Sequence, residues 1–398
     1  MNLSAAETAP LIEGIKIIDA DTHLSEPHDL WTSRAPASLK DRMPRVKLVN
    51  GKRAWVIGDD IPLSGAGGAS PISVIRKDGS KSRSLEFFDW QIEDVHPGAF
   101  NIKERLKLMD QSNIFAQIVY PNVLGFGGQN AGRVESDLRI ASIEIFNDAM
   151  AEIQAESNGR IFPMALLPWW DVRQSVKETE RVKAMGLRGV NINSDPHLHK
   201  GVPDLAETHW DPLWEACAGL DMPINFHIGA SESAMDWFGN SFWPSEAIDV
   251  RFAIGSSMLF FGNARVMANI LLSGILDRHP KIKFVSVESG IGWIPFLLEV
   301  IEYQLAENAA GQRYALTPAE YFARNMYSCF WFERRHIADT IRQVGVDNVM
   351  FETDFPHPTC LYPEPLQHAA SGLAALDAET RRKILSGNAA KLYSIPLT

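Results

Sequence analysis

The chain has 398 residues, 45% of them hydrophobic and 22% charged, a balance that predicts a globular, water-soluble protein rather than a disordered or fibrous one. Its 38 basic residues against 49 acidic ones, net −11, argue against nucleic acid or an anionic membrane surface as partner, although a local cation or arginine could still attract an anionic small molecule. No apolar run approaches the ~20 residues needed to cross a bilayer, and Cys217, Cys329 and Cys360 show neither CxxC spacing nor a disulfide framework, which predicts a reducing cytoplasm.

Residues 1–14 lack a basic segment followed by an apolar one, and read as an N-terminal tail without a signal peptide. From residue 15 onward, short apolar runs alternate with helical stretches. Eight runs read as strands: 15–23, 115–121, 160–169, 189–193, 223–228, 281–288, 326–331 and 348–355. None alternates strictly, as expected of parallel strands covered on both faces. The helical segments between them include 135–157, which places Leu138, Ala141, Ile145, Ala149 and Ile153 on roughly one face. Others are 174–185, 211–220, 266–277, 294–306 and 337–344. Eight β/α units in series predict a single-domain α/β fold, a (β/α)8 TIM barrel spanning 15–398. A doubly wound sheet fits less well, because no glycine-rich GxGxxG turn follows the first strand.

Two stretches interrupt the repeat. After the first strand, residues 31–100 are loop-rich. They contain an expected hairpin turning at Asn50-Gly51 and an irregular excursion over 58–84. After the fifth strand, residues 231–257 carry Trp237, Phe238, Phe242 and Trp243. Both interruptions follow strand C-termini, the catalytic face of a barrel, and read as lid, substrate-pocket or dimer elements. Eleven Trp and twenty Phe fit an aromatic pocket, a subunit interface or plain core packing.

Four strands end in groups able to hold a metal. The first ends Asp19-Ala20-Asp21-Thr22-His23, and alternate residues of a strand share a side, so Asp21 and His23 project together with Asp19 one step deeper. The fifth ends in His227, the sixth in Glu288, and the eighth in Glu352-Thr353-Asp354. In a barrel these ends meet at one rim, and carboxylates beside imidazoles are ligands for a divalent cation.

Asp19-x-Asp21-x-His23, His227 and Thr353-Asp354-Phe355-Pro356-His357 resemble the amidohydrolase superfamily, in particular its aminocarboxymuconate-semialdehyde decarboxylase-like branch. Arg105-Leu106-Lys107-Leu108-Met109-Asp110, Asp277-Arg278-His279-Pro280 and Gly292-Trp293-Ile294-Pro295 fit that branch as well. The resemblance implies one divalent metal ion, zinc or manganese, with Asp21, His23, His227 and Asp354 as ligands. An alternative for Asp354 is a hydrogen bond to a ligand. Asp19 would be structural or would support a ligand from behind. Relatives carry His-x-His or Glu-x-His on the first strand; the Asp-x-His here makes the site richer in oxygen and favours manganese or magnesium.

Relatives also carry an acid/base histidine at the end of the sixth strand, where this chain has Glu288. Glu288 could be the general base, a further ligand, or an arginine partner without catalytic part. Ionised beside a cation, it would accept a proton more readily than donate one, which favours hydrolysis or hydration. His357 could touch substrate or shuttle a proton, or simply cap its loop. Arg334, beside Arg335, could bind a substrate carboxylate or sit in a surface ion pair. Asn191 and Asn193 could hydrogen-bond substrate. Trp169, Trp331 and Trp237 could wall a planar one. His197 and His199 read as a solvated loop. The function expected is metal-dependent decarboxylation of a small, planar, anionic aromatic or unsaturated acid. The alternatives are a C–C bond, lactone or amide hydrolase or a hydratase using Glu288, and beyond those a non-catalytic binding scaffold. Analogy with the family adds a homodimer.

Overall fold

The computed structural model describes residues 2–63, 68–241 and 243–397, so Phe242 lies outside the described residues. Eight parallel strands form a (β/α)8 barrel: β1 Ile18–His23, β2 Ala116–Tyr120, β3 Ile161–Pro163 continuing as Ala165–Leu166, β4 Val190–Asn191, β5 Ile224–His227, β6 Phe284–Val287, β7 Met326–Phe330 and β8 Val349–Phe351. Every predicted strand is present, in the expected order. The ladder continues through the break in β3, where Met164 N–H donates to Val119 and Ala165 N–H to Gly189. Between β8 and β1 the contact is a single bridge, Thr22 to Phe355, flanked by His23 N–H to Phe355 O (2.8 Å) and Asp354 N–H to Asp21 O (2.9 Å).

The strands alternate between two cores. Ile18, Ala20, Ala116, Ile118, Phe162, Met164, Val285, Val287, Cys329 and Met350 fill the barrel interior. Val190, Ile224, Phe226, Phe284, Phe330 and Phe351 face the helices outside. Each such side chain stabilises the fold by about 1.5–3 kcal/mol when fully buried. The base of the barrel is closed by Ala389, Ala390, Leu392, Tyr393 and Ile395, and the Tyr393 hydroxyl donates to Asn225 Oδ1 at 2.6 Å.

One expectation about β1 fails. The register with β2 slips between Asp19 and Thr22, a bulge that puts one extra residue into β1. Asp19 therefore leaves the side that carries Asp21. It turns to the outer wall, where Gln117 and Thr353 bond it.

The insertion after β1 contains a three-stranded antiparallel sheet, Arg45–Val49, Lys52–Ile57 and Ile61–Pro62. Its turn lies at Asn50-Gly51 as predicted, with φ of 51° and 80°, the left-handed pair that a tight hairpin requires. The insertion is tied to the barrel by Ser25 Oγ to Pro71 O and by Val74 N–H to Pro356 O. The interruption after β5 is more regular than expected, because one helix runs from Ile248 to Leu272 where only 266–277 was predicted. Its first half lacks the charged face that marks an exposed helix, which hid it from the periodicity. Residues Ala5–Ile12 also form a helix, opened by a Ser4/Glu7 capping box and packed on the helices Pro365–Leu373 and Ala378–Arg382. No helix among the described residues is long and apolar enough to cross a membrane.

Candidate metal centre

At the C-terminal rim, Asp21, His23, His227 and Glu288 each place a ligand atom within 4.8 Å of the others, and His23, Glu288, Asp354 and His357 do the same. His23 Nε2 lies 3.6 Å from Asp21 Oδ1 and 3.7 Å from Asp354 Oδ1. His227 Nε2 lies 3.7 Å from Asp21 Oδ1 and 3.3 Å from Glu288 Oε2. The carboxylates and imidazoles of β1, β5, β6 and β8 thus converge as the strand ends suggested.

Two local features aim them. Glu288 and Asp354 both have left-handed backbones, φ 53° and 58°, a conformation that costs about 1–3 kcal/mol at a residue other than glycine. At Glu288 it turns the side chain into the barrel directly after Val287, which already points inward. The Glu288 N–H is held by Glu352 Oε2 (3.3 Å) and the Asp354 N–H by the Asp21 carbonyl. His227 Nδ1 bonds the Ile228 carbonyl at 2.8 Å, so the ring carries its proton there and presents Nε2 as a lone pair to the cluster. His357 is set the same way. Asn122 donates through Nδ2 to Leu24 O, which leaves its Oδ1 to accept from His357 Nε2 (2.8 Å). His357 Nδ1 then faces Asp354 Oδ1 at 3.5 Å, while its ring stacks on His23 with centroids 3.6 Å apart. Phe126 covers His227 at 4.2 Å and His23 at 5.3 Å.

The cluster is buried and electrically unbalanced. Both oxygens of Asp21, both ring nitrogens of His23, His227 Nε2 and Asp354 Oδ1 are buried without a hydrogen-bond partner. Buried polar atoms are seldom left so, and an ion accounts for several converging on one point. Burial, then repulsion from Asp354, Asp21 and Glu352, pushes Glu288 well above the usual carboxylate range. Glu352 is raised by burial and then Asp21, and Asp354 likewise. Burial, with His357, His227 and Arg105 behind it, holds His23 far below its ordinary value, and burial does the same to His357. Neutral imidazoles among crowded carboxyls fit a divalent cation, and no lysine or arginine among the described residues is ion-paired to these four carboxyls.

The other residues singled out by sequence divide. Asn191 faces the interior beside β5 with both amide atoms buried and unpartnered. Asn193 spends its Oδ1 on the Asp195 N–H (2.9 Å) and leaves Nδ2 unpartnered. Trp331 is fully buried against Phe260 and Phe332, its indole N–H without an acceptor. Trp169 sits behind the loop after β2, donating to Gly128 O (3.2 Å) with its ring against Trp170 and His199. Arg334 is engaged by His368 (3.2 Å). Trp237 is half-buried in the loop after β5, its carbonyl accepting from Asn240. His199 bonds Glu232 (3.1 Å) rather than the cluster.

Asn122 and Phe126 were not singled out, and Glu352 and Arg105 were named only as parts of longer segments. Glu352 had a visible signal, since it lies two residues before Asp354 on the same strand. Arg105 had none. Its guanidinium is fully buried behind β1, bonding the carbonyls of Gly98 and His23 and the Gln117 amide oxygen, and burial brings it down to about 9.

Comparison with known proteins places this geometry. The family model described as Amidohydrolase matches residues 18–395. A gamma-resorcylate decarboxylase of Polaromonas sp. (strain JS666 / ATCC BAA-500) is 27% identical over 306 residues, 73% of this chain and 86% of that protein. Among solved structures, an amidohydrolase from Mycobacterium avium subsp. paratuberculosis K-10 superposes with a TM-score of 0.75 at 23% identity, over 96% of this chain and 99% of that one. A dihydroxybenzoic acid decarboxylase from Polaromonas sp. JS666, with bound manganese and the inhibitor 2-nitroresorcinol, gives 0.58 at 19% identity over 96% and 97%. At these identities the solved structures establish the shared barrel.

Proposed function

Since the chain belongs to the amidohydrolase family, matched over residues 18–395, we propose that it is a metal-dependent carboxy-lyase releasing CO₂ from a small aromatic or unsaturated carboxylic acid. The observation that carries this is the set of buried, unpartnered donor atoms on Asp21, His23, His227 and Asp354, which would hold the cation. Two carboxylates in that set favour manganese over zinc. The manganese-bound decarboxylase of the same fold supports that choice. When bound, the metal supplies Lewis-acid polarisation of the substrate's oxygen atoms.

The remaining steps fall to side chains. Glu288, turned into the barrel 3.3 Å from His227 Nε2, is placed to pass a proton taken up from solvent to the ring carbon as the bond to the carboxyl carbon breaks. His357, with Nδ1 free as a lone pair, accepts a proton from a substrate hydroxyl. Asn191, Asn193 and the Trp331 indole N–H offer partners for the substrate's polar edge, since each has buried hydrogen-bonding capacity to fill. Arg334 receives no substrate contact in this reading, because His368 already holds it. Residues 15–398 act as one catalytic unit, in a cytoplasmic homodimer.

The test is metal analysis followed by a screen of aromatic and unsaturated acids, lactones and amides, with CO₂ release and simple hydrolysis recorded together. Stoichiometric metal and CO₂ release are expected; a protein without metal, indifferent to chelator, would refute the proposal. Glu288→Gln should keep the metal and slow turnover by roughly 10²–10⁴-fold; loss of the metal instead would make Glu288 a ligand. One observation favours a second reading, hydrolysis or hydration with Glu288 as base: a carboxylate stands where the resemblance expects a histidine. Product formation without CO₂ would select it.

A further inference from the structure

The arginine pair after β7 has no part in the chemistry proposed above, yet it stands on the catalytic face of the barrel. Arg334 and Arg335 follow β7 at its C-terminal end, and His368 lies near the start of the helix Pro365–Leu373, just past the loop after β8. Lys81 belongs to the insertion after β1. It bridges to Ile75, Ser82 N–H donates to Val74 O (2.8 Å), and Val74 N–H donates to Pro356 O (3.0 Å), so this ribbon is laid along the loop after β8. The Lys81 ammonium then donates to the Cys360 carbonyl in that loop. Segments following β1, β7 and β8 thus meet in one sector of the mouth, two of them carrying cations.

Nothing anionic answers these charges. Among the described residues, no carboxylate lies within ion-pair distance of Lys81, Arg334 or Arg335. The acids nearest in sequence are committed elsewhere. Asp78 accepts from the Ser80 N–H and hydroxyl (2.9 and 2.7 Å), and Glu86 from Arg76 and Ser82. Glu333 Oε1 accepts from the N–H groups of Ile291 and Gly292 (2.8 and 2.7 Å), and Glu364 accepts from Asn2 (3.4 Å). Arg334 turns its Nη2 to His368 Nδ1 at 2.5 Å. That ring is the neutral tautomer. Its Nε2 donates to the Phe332 carbonyl (3.1 Å), and burial, then the charges of Arg334 and Lys81, pull it below its ordinary value. His368 therefore orients Arg334 without cancelling its charge, and the Nη1 edge of the guanidinium stays unspent. Lys81 ties the arc to the metal centre, since its charge is felt at His368 on one side and at Asp354 on the other.

We infer that Lys81, Arg334 and Arg335, with His368 orienting the second, form an entry subsite for carboxylates, a basic arc at the mouth that draws the incoming acid toward the metal centre and concentrates it there. The inference rests on the acid substrate proposed above. The rest of the chain repels such a substrate, through its net charge of −11 and through the carboxyls of Asp21, Glu288, Glu352 and Asp354. A local excess of positive charge at the mouth reverses that field, and such focusing raises substrate concentration and arrival rate by about 10-fold or more. The arc acts on the approach, so Arg334 keeps its bond to His368 and touches nothing in the bound state. Attraction of this kind follows charge rather than exact geometry, and it fades with salt.

The test is titration calorimetry of benzoate, with neutral benzamide beside it, on the manganese-loaded protein at about 20 and about 200 mM salt. Wild type is compared with Lys81→Gln/Arg334→Gln. The variant should bind benzoate roughly 10-fold more weakly at the lower salt and lose most of the wild type's salt dependence. Its benzamide binding, metal content and circular dichroism should stay as in the wild type. Lys81→Arg/Arg334→Lys, which keeps both charges, should bind benzoate as the wild type does. Arg313→Gln, an equal loss of charge beyond the far end of the helix Ile294–Asn308, should change nothing. Should the double variant fail to fold, Arg335→Gln, at an exposed position, carries the same comparison. A wild type that binds benzoate no better than benzamide, or a folded charge-removing variant that binds it as tightly as the wild type, overturns the inference. Benzoate binding is read without turnover, so failure of the arc is distinguishable from failure of the proposed decarboxylation.

Discussion

Asp19 and Asp21 are two residues apart on one strand and both fully buried, yet they are opposites. Asp19 takes three hydrogen bonds, from Gln117 Nε2 (3.0 Å), Thr353 N–H (2.8 Å) and Thr353 Oγ1 (2.6 Å). Asp21 takes none on either oxygen. The bulge between them sends one outward, to a wall that satisfies it, and the other into the barrel, where nothing of the protein does. Burial therefore does not mark the functional carboxylate; unfilled hydrogen-bonding capacity does. Asp19 has a different task. At the β8–β1 seam, where the regular ladder is thin, its carboxylate supplies the missing rungs and sets Asp354 beside Asp21.

The comparison breaks most visibly through Asp21→Asn. Removing a carboxylate oxygen from the cluster should empty the site and lower turnover on the order of 10³-fold, with no loss of melting temperature in the metal-free state. A variant that keeps its metal would make Asp21 the lesser partner. Asp19→Asn should do the reverse. Asparagine has one acceptor oxygen for three donors, so a buried donor is stranded, at about 1–3 kcal/mol of stability. Metal affinity, read by chelator competition, should fall by roughly 10–100-fold as Asp354 loses its support. Wild-type affinity in a folded Asp19→Asn protein would remove the positioning part assigned to it.

Removing the metal sharpens the contrast from the other side. Glu288, Glu352 and Asp354 are raised on folding by burial and then by one another and Asp21. A carboxyl raised in the folded state contributes stability below its unfolded value of about 4, and that contribution is lost as pH rises through the folded value. His23 and His357, held neutral by burial, pull the other way up to their unfolded value of about 6.5, so the metal-free protein should melt at falling temperature above about pH 7, and manganese should flatten the trend. A metal-free melting point that climbs over this window would contradict the crowding. The smallest effect is expected for Thr353→Val. It deletes one of Asp19's three bonds and the weak 3.3 Å bond from the Phe355 N–H, at about 1–2 kcal/mol together, and should leave metal content unchanged.

Most of the frame was legible because parallel strands covered on both faces are short uninterrupted apolar runs, and all eight announce themselves. The rim was legible because Asp21, His23, His227, Glu288 and Asp354 each close such a run. What escaped depends on neighbours across the sheet. The slip that turns Asp19 outward exists only in register with β2. The place of Arg105 depends on a helix docking behind β1. Arg334 looked available to a substrate until the helix Pro365–Leu373 brought His368 against it. The first half of the helix Ile248–Leu272 was missed because its exposed side is apolar.

The floor of the barrel carries a last consequence. Leu392, Tyr393 and Ile395 plug it from below, Lys16 Nζ reaches Leu397 O, and Arg188 reaches Ser394 O, so the final residues are fastened beneath the strands at the end remote from the rim. The metal-binding side chains lie at the opposite end, on the C-terminal rim. An affinity handle fused after these residues would leave from the underside, and protein tethered to a bead by that handle would turn its metal-binding rim away from the bead.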